Sequence, residues 1–340
     1  MQETPPKLIA IVGPTAVGKS ALAFSLARRG DEDLGRAGEI VSADSRQVYR
    51  ELDIGTAKPT VDEQRQVRHH VIDVVDPEDD FSLAEFQDLA YLASDDIIAR
   101  GRLPLLVGGT GLYVRSIVEG LNLPRVAPDP ELRAELEAIA RDLGADALHR
   151  RLAERDPLAA SRIDRRNIRR VVRALEVVLK TGRPFSDGTV PHPRYDVLTL
   201  GVKTDRATLY QTIDERVDAQ LAAGLLGETQ RVLARGCPPD RPALNGFGYR
   251  ELQAYLRGET DLATAVERYK FETHRFARQQ ENWFRLTDAR ICWIQRGPGA
   301  YDEACRLVRR FLSSKSADRA DGTVSVLRGD REVFQDAGHR

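Results

Sequence analysis

Residues 13–20 carry the complete pattern of a phosphate-binding loop, G-x-x-x-x-G-K-[ST], written here as Gly-Pro-Thr-Ala-Val-Gly-Lys-Ser. The loop follows an apolar stretch at 7–12 that is typical of a strand, and it precedes a stretch at 21–27 with the apolar spacing of a helix. In this context the loop amides, the helix N terminus and Lys19 face a di- or triphosphate, and the Ser20 hydroxyl can bind Mg²⁺. The loop therefore predicts an α/β fold that holds a polyphosphate, and it leaves open which one.

The composition is that of an ordinary globular protein, with 340 residues of which 41% are hydrophobic and 30% are charged. No apolar run approaches the roughly 20 residues that span a bilayer, and the N terminus lacks the features of a secretory signal. We therefore expect a cytoplasmic protein that does not bind membranes. The three cysteines lack metal-ligand spacing, which argues against a structural zinc site. Only seven of the 51 basic residues are lysine; this bias suits phosphate recognition by arginine, and genome composition explains it equally well.

Strand and helix patterns alternate over the first part of the chain, which predicts a parallel sheet covered by helices. A capping box at Ser82 and Glu85 opens a predicted helix that ends near Arg100. The predicted strands of the chain lie at 39–43, 70–74, 103–107, 196–202 and 289–294, and further helices are predicted over 112–119, most of 205–287 and 302–312.

The pattern changes after Asn122, where Pro124, Pro128 and Pro130 mark a boundary. Only helices are predicted beyond it, at 131–143, 145–155 and 167–180. We interpret this stretch as a helical insertion into the α/β core. The predicted organisation is a P-loop NTPase-like core domain with C-terminal helices at 1–121 and 196–312, an all-helical insertion domain at 122–195, and a flexible tail at 313–340.

Three polar clusters follow predicted strands: the phosphate loop, the segment Asp44-Ser45-Arg46-Gln47, and Gly109-Thr110. Parallel sheets place ligands at the carboxyl ends of their strands, so we expect the three clusters to form one site. Asp44 could help hold Mg²⁺ with Ser20, act as a general base, or simply cap a turn. Thr110 could line the site or serve only as a helix N-cap.

The stretch 162–173 carries six arginines against one acidic residue. At helical spacing Arg166, Arg169, Arg170 and Arg173 share one face, and like charges at this density favour a polyanionic partner over a merely solvated surface. A second stretch, 268–290, alternates arginines with aromatic residues. Most of these aromatics fit a core, and arginines beside aromatics also bind unstacked bases.

These features leave several classes of function open. A small-molecule kinase that uses ATP would explain the phosphate loop. An RNA-modifying enzyme with a diphosphate substrate would explain the loop and the basic stretches together, and a non-catalytic RNA-binding protein would explain only the latter.

Five motifs in order resemble the tRNA dimethylallyltransferases, also called tRNA isopentenyltransferases, over residues 7 to 312. The motifs are the phosphate loop, Ser42–Tyr49, Asp53–Pro59 (Asp-Ile-Gly-Thr-Ala-Lys-Pro), Leu106–Tyr113 and Arg173–Glu176.

The resemblance implies transfer of a dimethylallyl group from dimethylallyl diphosphate to N6 of the adenosine 3′ of the anticodon (position 37), in tRNAs that read codons starting with U. Diphosphate leaves with the help of Mg²⁺, and the enzyme is a monomer that binds the anticodon stem-loop. An adenylate isopentenyltransferase acting on free nucleotide is the related alternative.

The same resemblance implies roles for individual residues. Asp44 is expected to be the general base, and Thr110 to lie beside the reacting groups. The diphosphate is expected to bind Gly13, Pro14, Thr15, Ala16, Val17, Gly18, Lys19, Ser20 and Arg216, with Ser20 also on the metal. The tRNA is expected to contact Asp44, Ser45, Arg46, Gln47, Thr110, Arg133, Arg169, Arg170, Arg173, Gly248, Tyr249, Arg250, Arg278, Gln280 and Arg285.

This chain departs from the family pattern near its C-terminal tRNA-contacting helix. A basic Lys/Arg-Arg-Gln-x-Thr-Trp-Phe motif is expected there, and residues 278–284 read Arg-Gln-Gln-Glu-Asn-Trp-Phe. A positive charge is thus lost at Gln279 and an acidic residue is present at Glu281.

Overall fold

A computed structural model describes residues 5–189 and 191–314. Six parallel strands form one sheet in the order β3-β2-β4-β1-β5-β6. The strands are β1 (Lys7–Val12), β2 (Gly38–Ser42), β3 (His69–His70), β4 (Leu103–Val107), β5 (Asp196–Lys203) and β6 (Ile291–Gln295). The predicted parallel sheet flanked by helices is confirmed, and all carboxyl ends of the strands meet at one edge.

The central strand β1 is buried from Leu8 to Val12 and pairs with β4 on one side and β5 on the other. Ile9 lies opposite both Leu105 and Leu198. Near-continuous apolar runs are typical of a parallel sheet with both faces covered, and this placement makes β1 the centre of the core. The phosphate loop therefore leaves the sheet at its most rigid point.

Strand β3 is much shorter than the predicted strand at 70–74. Val71 and Asp73 have φ angles of +61° and +54°, which extended backbone cannot adopt, so pairing ends at His70. The predicted strand at 70–74 gave no sign of these positive φ angles in the sequence.

Contacts divide the described residues into two units, one of 5–81, 89–114 and 195–314, the other of 82–88, 115–189 and 191–194. The first contains the sheet. Its helices are α1 (Lys19–Leu34), α2 (Val61–Gln66), most of α3 (Leu83–Ala99), the start of α4 (Gly111–Val118), α9 (Arg206–Ala222), α10 (Leu225–Ala234), α11 (Tyr249–Leu256), α12 (Leu262–Gln280) and α13 (Ala300–Ser313). The predicted capping box of α3 is present, with Ser82 and Glu85 bonded reciprocally.

The second unit is helical, with α5 (Pro130–Asp142), α6 (Ala145–Arg155), α7 (Pro157–Arg162), α8 (Ile168–Thr181) and a short 3-10 helix at Phe185–Thr189. Its core includes Leu136, Leu148, Leu152 and Leu175. Helix α7 was not predicted; Asp156 caps it by accepting from the backbone N–H of Ala159. The proposed domain boundaries at 122 and 195 stay a prediction.

Helix α13 extends to Ser313, so the start of the predicted tail is helical. The Lys7 ammonium caps this helix end by donating to the carbonyls of Phe311, Leu312 and Ser314 at 2.6, 2.9 and 2.7 Å. The rest of the predicted tail, 315–340, lies outside the described residues. No helix within 5–189 and 191–314 is long and apolar enough to cross a membrane.

Candidate active site at the carboxyl edge of the sheet

The phosphate loop connects β1 to α1 through three residues with positive φ: Gly13 at +139°, Ala16 at +62° and Gly18 at +104°. A Cβ at Gly13 would lie 2.6 Å from the carbonyl oxygen of Val202, so only glycine fits there. No acidic residue occupies the first turn of α1, and no side chain caps it. The amides of this helix N terminus are therefore directed at a site suited to an anion.

Lys19 brings a positive charge to this loop and donates to the carbonyl oxygen of Pro14 at 2.6 Å. Desolvation lowers the pKa of Lys19 to about 8; the carboxylate of Asp44 opposes this shift, and the guanidinium of Arg216 adds to it. Both charges act on Lys19 because α9 and the end of β2 approach the loop. Lys19 therefore lies near both Asp44 and Arg216.

Asp44 lies two residues beyond the end of β2 and is partly buried. Its Oδ1 accepts from the backbone N–H of Arg46 at 2.8 Å, which fixes the carboxylate in a turn. Oδ2 has no hydrogen-bond partner within the described part of the chain. One oxygen therefore holds the carboxylate in place, and the other remains available for a hydrogen bond.

Thr110 is tied to the segment that follows Asp44. Its Oγ1 accepts from the backbone N–H of Ser45 at 3.1 Å and donates to the Ser45 hydroxyl at 3.4 Å. The two strand ends approach so closely that a Cβ at Gly108 would lie 2.1 Å from the carbonyl oxygen of Ala43. The glycines after β4 thus allow Thr110 to reach the Asp44 turn.

Two helices complete the site from the C-terminal half of the chain. Arg216 on α9 donates to the Thr15 hydroxyl at 3.3 Å. Gln280, the last residue of α12, accepts from the backbone N–H of Thr15 and donates to the carbonyl oxygen of Gly109, both at 2.8 Å. Gln280 is only 3% exposed and its carboxamide points into the site, while its expected contact with tRNA stays a prediction.

A buried polar network holds the segment 53–58, to which the sequence alone assigned no chemical role. The Glu228 carboxylate accepts from the backbone N–H groups of Asp53, Ile54 and Gly55 at 3.0, 2.8 and 3.1 Å, and from the Tyr249 hydroxyl at 2.6 Å. Glu228 is 2% exposed and lies on α10. Burial, followed by the adjacent Glu228 charge, raises the pKa of the Tyr249 phenol, which keeps it a hydrogen-bond donor.

Three further sets of contacts, made by Gln220, Lys58 and Gln47, hold the same segment. Gln220 donates to the carbonyls of Ile54 and Gly55, and the buried ammonium of Lys58 pairs with Asp53 and Asp73 at 2.6 and 2.5 Å. Gln47 donates to the carbonyls of Thr56 and Ala57 and accepts from Ser42. Sequence reasoning missed this network because Gln220, Glu228 and Asp73 lie at positions without a motif, and Gln47 was assigned to tRNA instead.

The predicted tRNA-binding residues of the first unit differ in their exposure. Gly248 and Tyr249 are buried, and a Cβ at Gly248 would meet the Tyr269 ring; their contact with tRNA stays a prediction. Arg46 is bonded to the carbonyl of Pro242. The exposed members are Arg250, Arg278 and Arg285. Arg250 pairs with Glu251, and Arg278 donates to the Tyr210 hydroxyl at 2.7 Å.

The predicted tRNA-binding arginines of the second unit fall into two pairs. Arg133 and Arg173 both bond the Glu176 carboxylate, which is fully buried. Burial raises the pKa of Glu176, but hydrogen bonds from Arg133, Arg173 and the Asp129 backbone outweigh it and hold the pKa below its usual value. Arg169 and Arg170 are exposed and form no ion pair with any residue that the structure describes.

The residues present fit a divalent cation held mainly by a diphosphate. No group of three or more His, Cys, Asp or Glu side chains within 5–189 and 191–314 could form a metal cage. Mg²⁺ commonly takes only one or two protein oxygens and binds substrate phosphates for the rest. The exposed hydroxyl of Ser20, in the first turn of α1, is an oxygen of this kind beside the phosphate loop.

Comparison with known proteins places these residues in a family. The model described as IPP transferase matches residues 47–287, and the model described as isopentenyl transferase matches residues 6–76. A tRNA dimethylallyltransferase of Thermomicrobium roseum is 48% identical over 327 residues, covering 96% of this chain and 97% of the relative. One of Chloroflexus aurantiacus is 54% identical over 293 residues, covering 86% and 97%.

Two solved structures also match. The full-length tRNA isopentenylpyrophosphate transferase of Bacillus halodurans is 41% identical, with a TM-score of 0.64 and coverage of 90% of this chain and 95% of that one. A eukaryotic dimethylallyltransferase acting on tRNA is 26% identical, with a TM-score of 0.78 and coverage of 91% and 80%. The phosphate loop, Asp44, Thr110, Arg216 and Gln280 all fall within the ranges that the two family models match.

Proposed function

Because the chain belongs to the IPP transferase family, we propose that the cluster around the phosphate loop is the active site of a tRNA-prenylating enzyme. It transfers a dimethylallyl group from dimethylallyl diphosphate to N6 of adenosine 37, next to the anticodon, in tRNAs that read codons starting with U. The observation that carries this proposal is the contact of both Lys19 and Arg216 with the phosphate loop, with Asp44 close to Lys19. Two cations suit a departing diphosphate, and a carboxylate suits a nucleophile that must lose a proton.

The phosphate loop serves as a leaving-group site. As the bond between adenine N6 and the allylic carbon forms, the bond between that carbon and the diphosphate oxygen breaks, and its electron pair leaves with the diphosphate. Lys19, Arg216 and the loop amides stabilise the negative charge that develops there. Thr15 contributes through its hydroxyl, which Arg216 already holds.

Asp44 acts as the general base. The lone pair of adenine N6 is delocalised into the ring, so removal of its proton as the new bond forms assists the attack. Oδ1 is fixed by the N–H of Arg46, so Oδ2 receives the proton. Thr110, bonded to Ser45, orients the segment that carries this carboxylate.

Mg²⁺ is the cation we propose, held by Ser20 together with oxygens of the diphosphate. When bound, it supplies positive charge that stabilises the leaving group. The role of Ser20 is to offer its hydroxyl oxygen at the start of α1.

For tRNA binding we propose the exposed arginines of each unit, which are Arg169 and Arg170 in one and Arg250, Arg278 and Arg285 in the other. Their target is the anticodon stem-loop, and residues 122–195 act as the tRNA-binding insertion. The adenine must leave its stack, because N6 is otherwise out of reach of Asp44. We further propose that the enzyme works as a monomer in the cytoplasm.

The direct test is to incubate the protein with unmodified tRNA, radiolabelled dimethylallyl diphosphate and Mg²⁺, and then to digest the tRNA to nucleosides. We expect label in N6-dimethylallyladenosine from position 37, and none when a chelator removes the metal. Label on AMP but not on tRNA would indicate an enzyme of free nucleotides. Phosphate transfer from ATP without prenylation would contradict the proposal.

A further inference from the structure

We propose that Gln280 is a positioning residue for the diphosphate: its carboxamide fixes the phosphate loop against the end of β4. This inference rests on the proposed function. It assigns Gln280, which the family motif places in a tRNA-contacting segment, to the other substrate.

The Gln280 carboxamide makes two hydrogen bonds, one to the phosphate loop and one to the turn after β4. Oε1 accepts from the backbone N–H of Thr15, in the middle of the phosphate loop, and Nε2 donates to the carbonyl oxygen of Gly109, in the turn before Thr110. Both distances are 2.8 Å. The neutral planar carboxamide of Asn and Gln carries such an acceptor and such a donor on one carbon atom. Glutamate could not donate to Gly109, and an apolar side chain could make neither bond.

Burial makes these two bonds strong constraints. Gln280 is 3% exposed, and a polar group removed from water must find its partners in the protein. The packing at Gly109 is equally tight, since a Cβ there would lie 2.3 Å from Gln280 Nε2. The carboxamide therefore has little freedom to adopt another orientation.

The two hydrogen bonds of Gln280, called the Gln280 bridge below, connect the diphosphate side of the proposed site to the side that carries Asp44. On one side, Thr15 belongs to the loop that carries Lys19 and accepts from Arg216. On the other side, Gly109 precedes Thr110, which is bonded to Ser45 next to Asp44. A shift of the loop by about 1 Å would misplace the leaving group relative to the nucleophile, and errors of this size cost about 10²-fold in rate.

The neighbouring Gln279 provides a matched control. Gln279 is exposed, whereas Gln280 is buried, although the two residues have the same side chain and are adjacent on α12. Gln279→Glu therefore introduces the same charge at one residue's distance without breaking the Gln280 bridge. Gln280→Met keeps the length of the side chain but removes both bonds, and Gly109→Ala displaces the carboxamide without changing residue 280.

The experiment measures, for the full chain, the Kd of inorganic pyrophosphate with Mg²⁺ by calorimetry and the Kd of unmodified tRNA by filter binding. We expect Gln280→Glu to weaken pyrophosphate binding at least tenfold, and Gln280→Met and Gly109→Ala to weaken it several-fold. We expect tRNA binding to change by less than twofold in all of them, and Gln279→Glu to leave pyrophosphate binding unchanged. If Gln280→Glu does not fold, Gln280→Met and Gly109→Ala decide the matter.

Two results would overturn the inference. One is a loss of tRNA affinity in Gln280→Met with unchanged pyrophosphate binding, which would make Gln280 a tRNA contact. The other is unchanged binding of both ligands. Because pyrophosphate binding is measured without turnover, failure of the wild-type protein to prenylate tRNA would contradict the proposed function while leaving this test intact. In an active enzyme, the KM for dimethylallyl diphosphate should rise together with the Kd.

Discussion

Arg216 and Thr15 are 201 residues apart in the chain, and the guanidinium of the first donates to the hydroxyl of the second at 3.3 Å. Helix α9 thereby adds a permanent positive charge to a loop whose own cation, Lys19, has a lowered pKa. Arginine stays protonated throughout the accessible pH range, whereas a desolvated lysine does not. The two cations of the proposed leaving-group site therefore respond differently to pH.

The first prediction concerns the alkaline limb of the pH profile. The pKa of Lys19 is about 8, so its ammonium is present below pH 8 and is lost as the pH rises above it. We expect kcat/KM for dimethylallyl diphosphate to fall about tenfold per pH unit above 8, since this parameter reports the free enzyme. Lys19→Arg should abolish the decline. Because Arg216 lowers the pKa of Lys19, Arg216→Gln should move the decline to higher pH, and a flat profile up to pH 10 in the wild type would contradict this role.

The second prediction concerns Asp44. Asp44→Asn keeps an oxygen that can accept from the N–H of Arg46, so the turn should remain while the base is lost. We expect kcat to fall by about 10²-fold or more, the usual scale for a general base. Affinity for tRNA, measured by filter binding, should stay within twofold, as it should for Asp44→Ala. Unchanged turnover together with weaker tRNA binding would make Asp44 a tRNA contact only.

The third prediction separates the two pairs of arginines on α5 and α8. Arg169 and Arg170 are exposed and unpaired among the described residues, so Arg169→Ala/Arg170→Ala should weaken tRNA binding and lower its salt dependence by about two charges. Arg133→Ala should instead lower the free energy of unfolding by about 2 kcal/mol, because it removes two charge-assisted bonds to buried Glu176. Urea unfolding and salt titrations of tRNA binding distinguish the two effects. Equal effects of both changes on stability would contradict the distinction.

The fourth prediction concerns Glu228, whose carboxylate accepts from three backbone N–H groups and from Tyr249. Glu228→Gln keeps the shape but removes the charge and replaces one acceptor with a donor. We expect a loss of about 2 kcal/mol in the free energy of unfolding, since bonds to charged acceptors contribute about 1.5–3 kcal/mol. Glu267→Gln, at an exposed position on α12, is the control and should change stability by less than about 0.5 kcal/mol. Equal stability of the two variants would indicate that segment 53–58 is held by other contacts.

Local patterns predicted most of the fold. The strand-loop-helix order around residues 7–27 and the capping box at Ser82 depend on neighbouring residues, and both predictions are confirmed. Strand β3 is shorter than predicted because positive φ at Val71 depends on tertiary packing rather than on apolar content. Helix α7 was not predicted because the six residues that begin at Pro157 and lead into a charged loop give too little periodicity.

At the site, the sequence did not predict which side chains point into the protein and which point to solvent. Clusters after parallel strands were expected to form one site; Lys19 of the phosphate loop lies near Asp44, and Thr110 is bonded to Ser45. Gln280 and Tyr249 lie within motifs expected to contact tRNA, yet both are buried. Which side chains turn inward was not evident over residues 278–285, where five polar residues precede two aromatic ones and no apolar stripe marks a buried face. Glu228 gave no signal because its partners are backbone amides, which every sequence contains.

The contact between Gly111 and Trp283 has a consequence for spectroscopy. The indole ring lies where a side chain at Gly111 would be, with a ring carbon 2.3 Å from the position of its Cβ, directly after Thr110. Trp283 is 43% exposed, and the chain contains only one other tryptophan, Trp293 on β6. With Trp293 replaced by phenylalanine, the tryptophan fluorescence of the protein, excited at wavelengths that tyrosine does not absorb, would come from a single indole at the rim of the site. Its emission can then follow the arrival and departure of either substrate in real time, without an added dye.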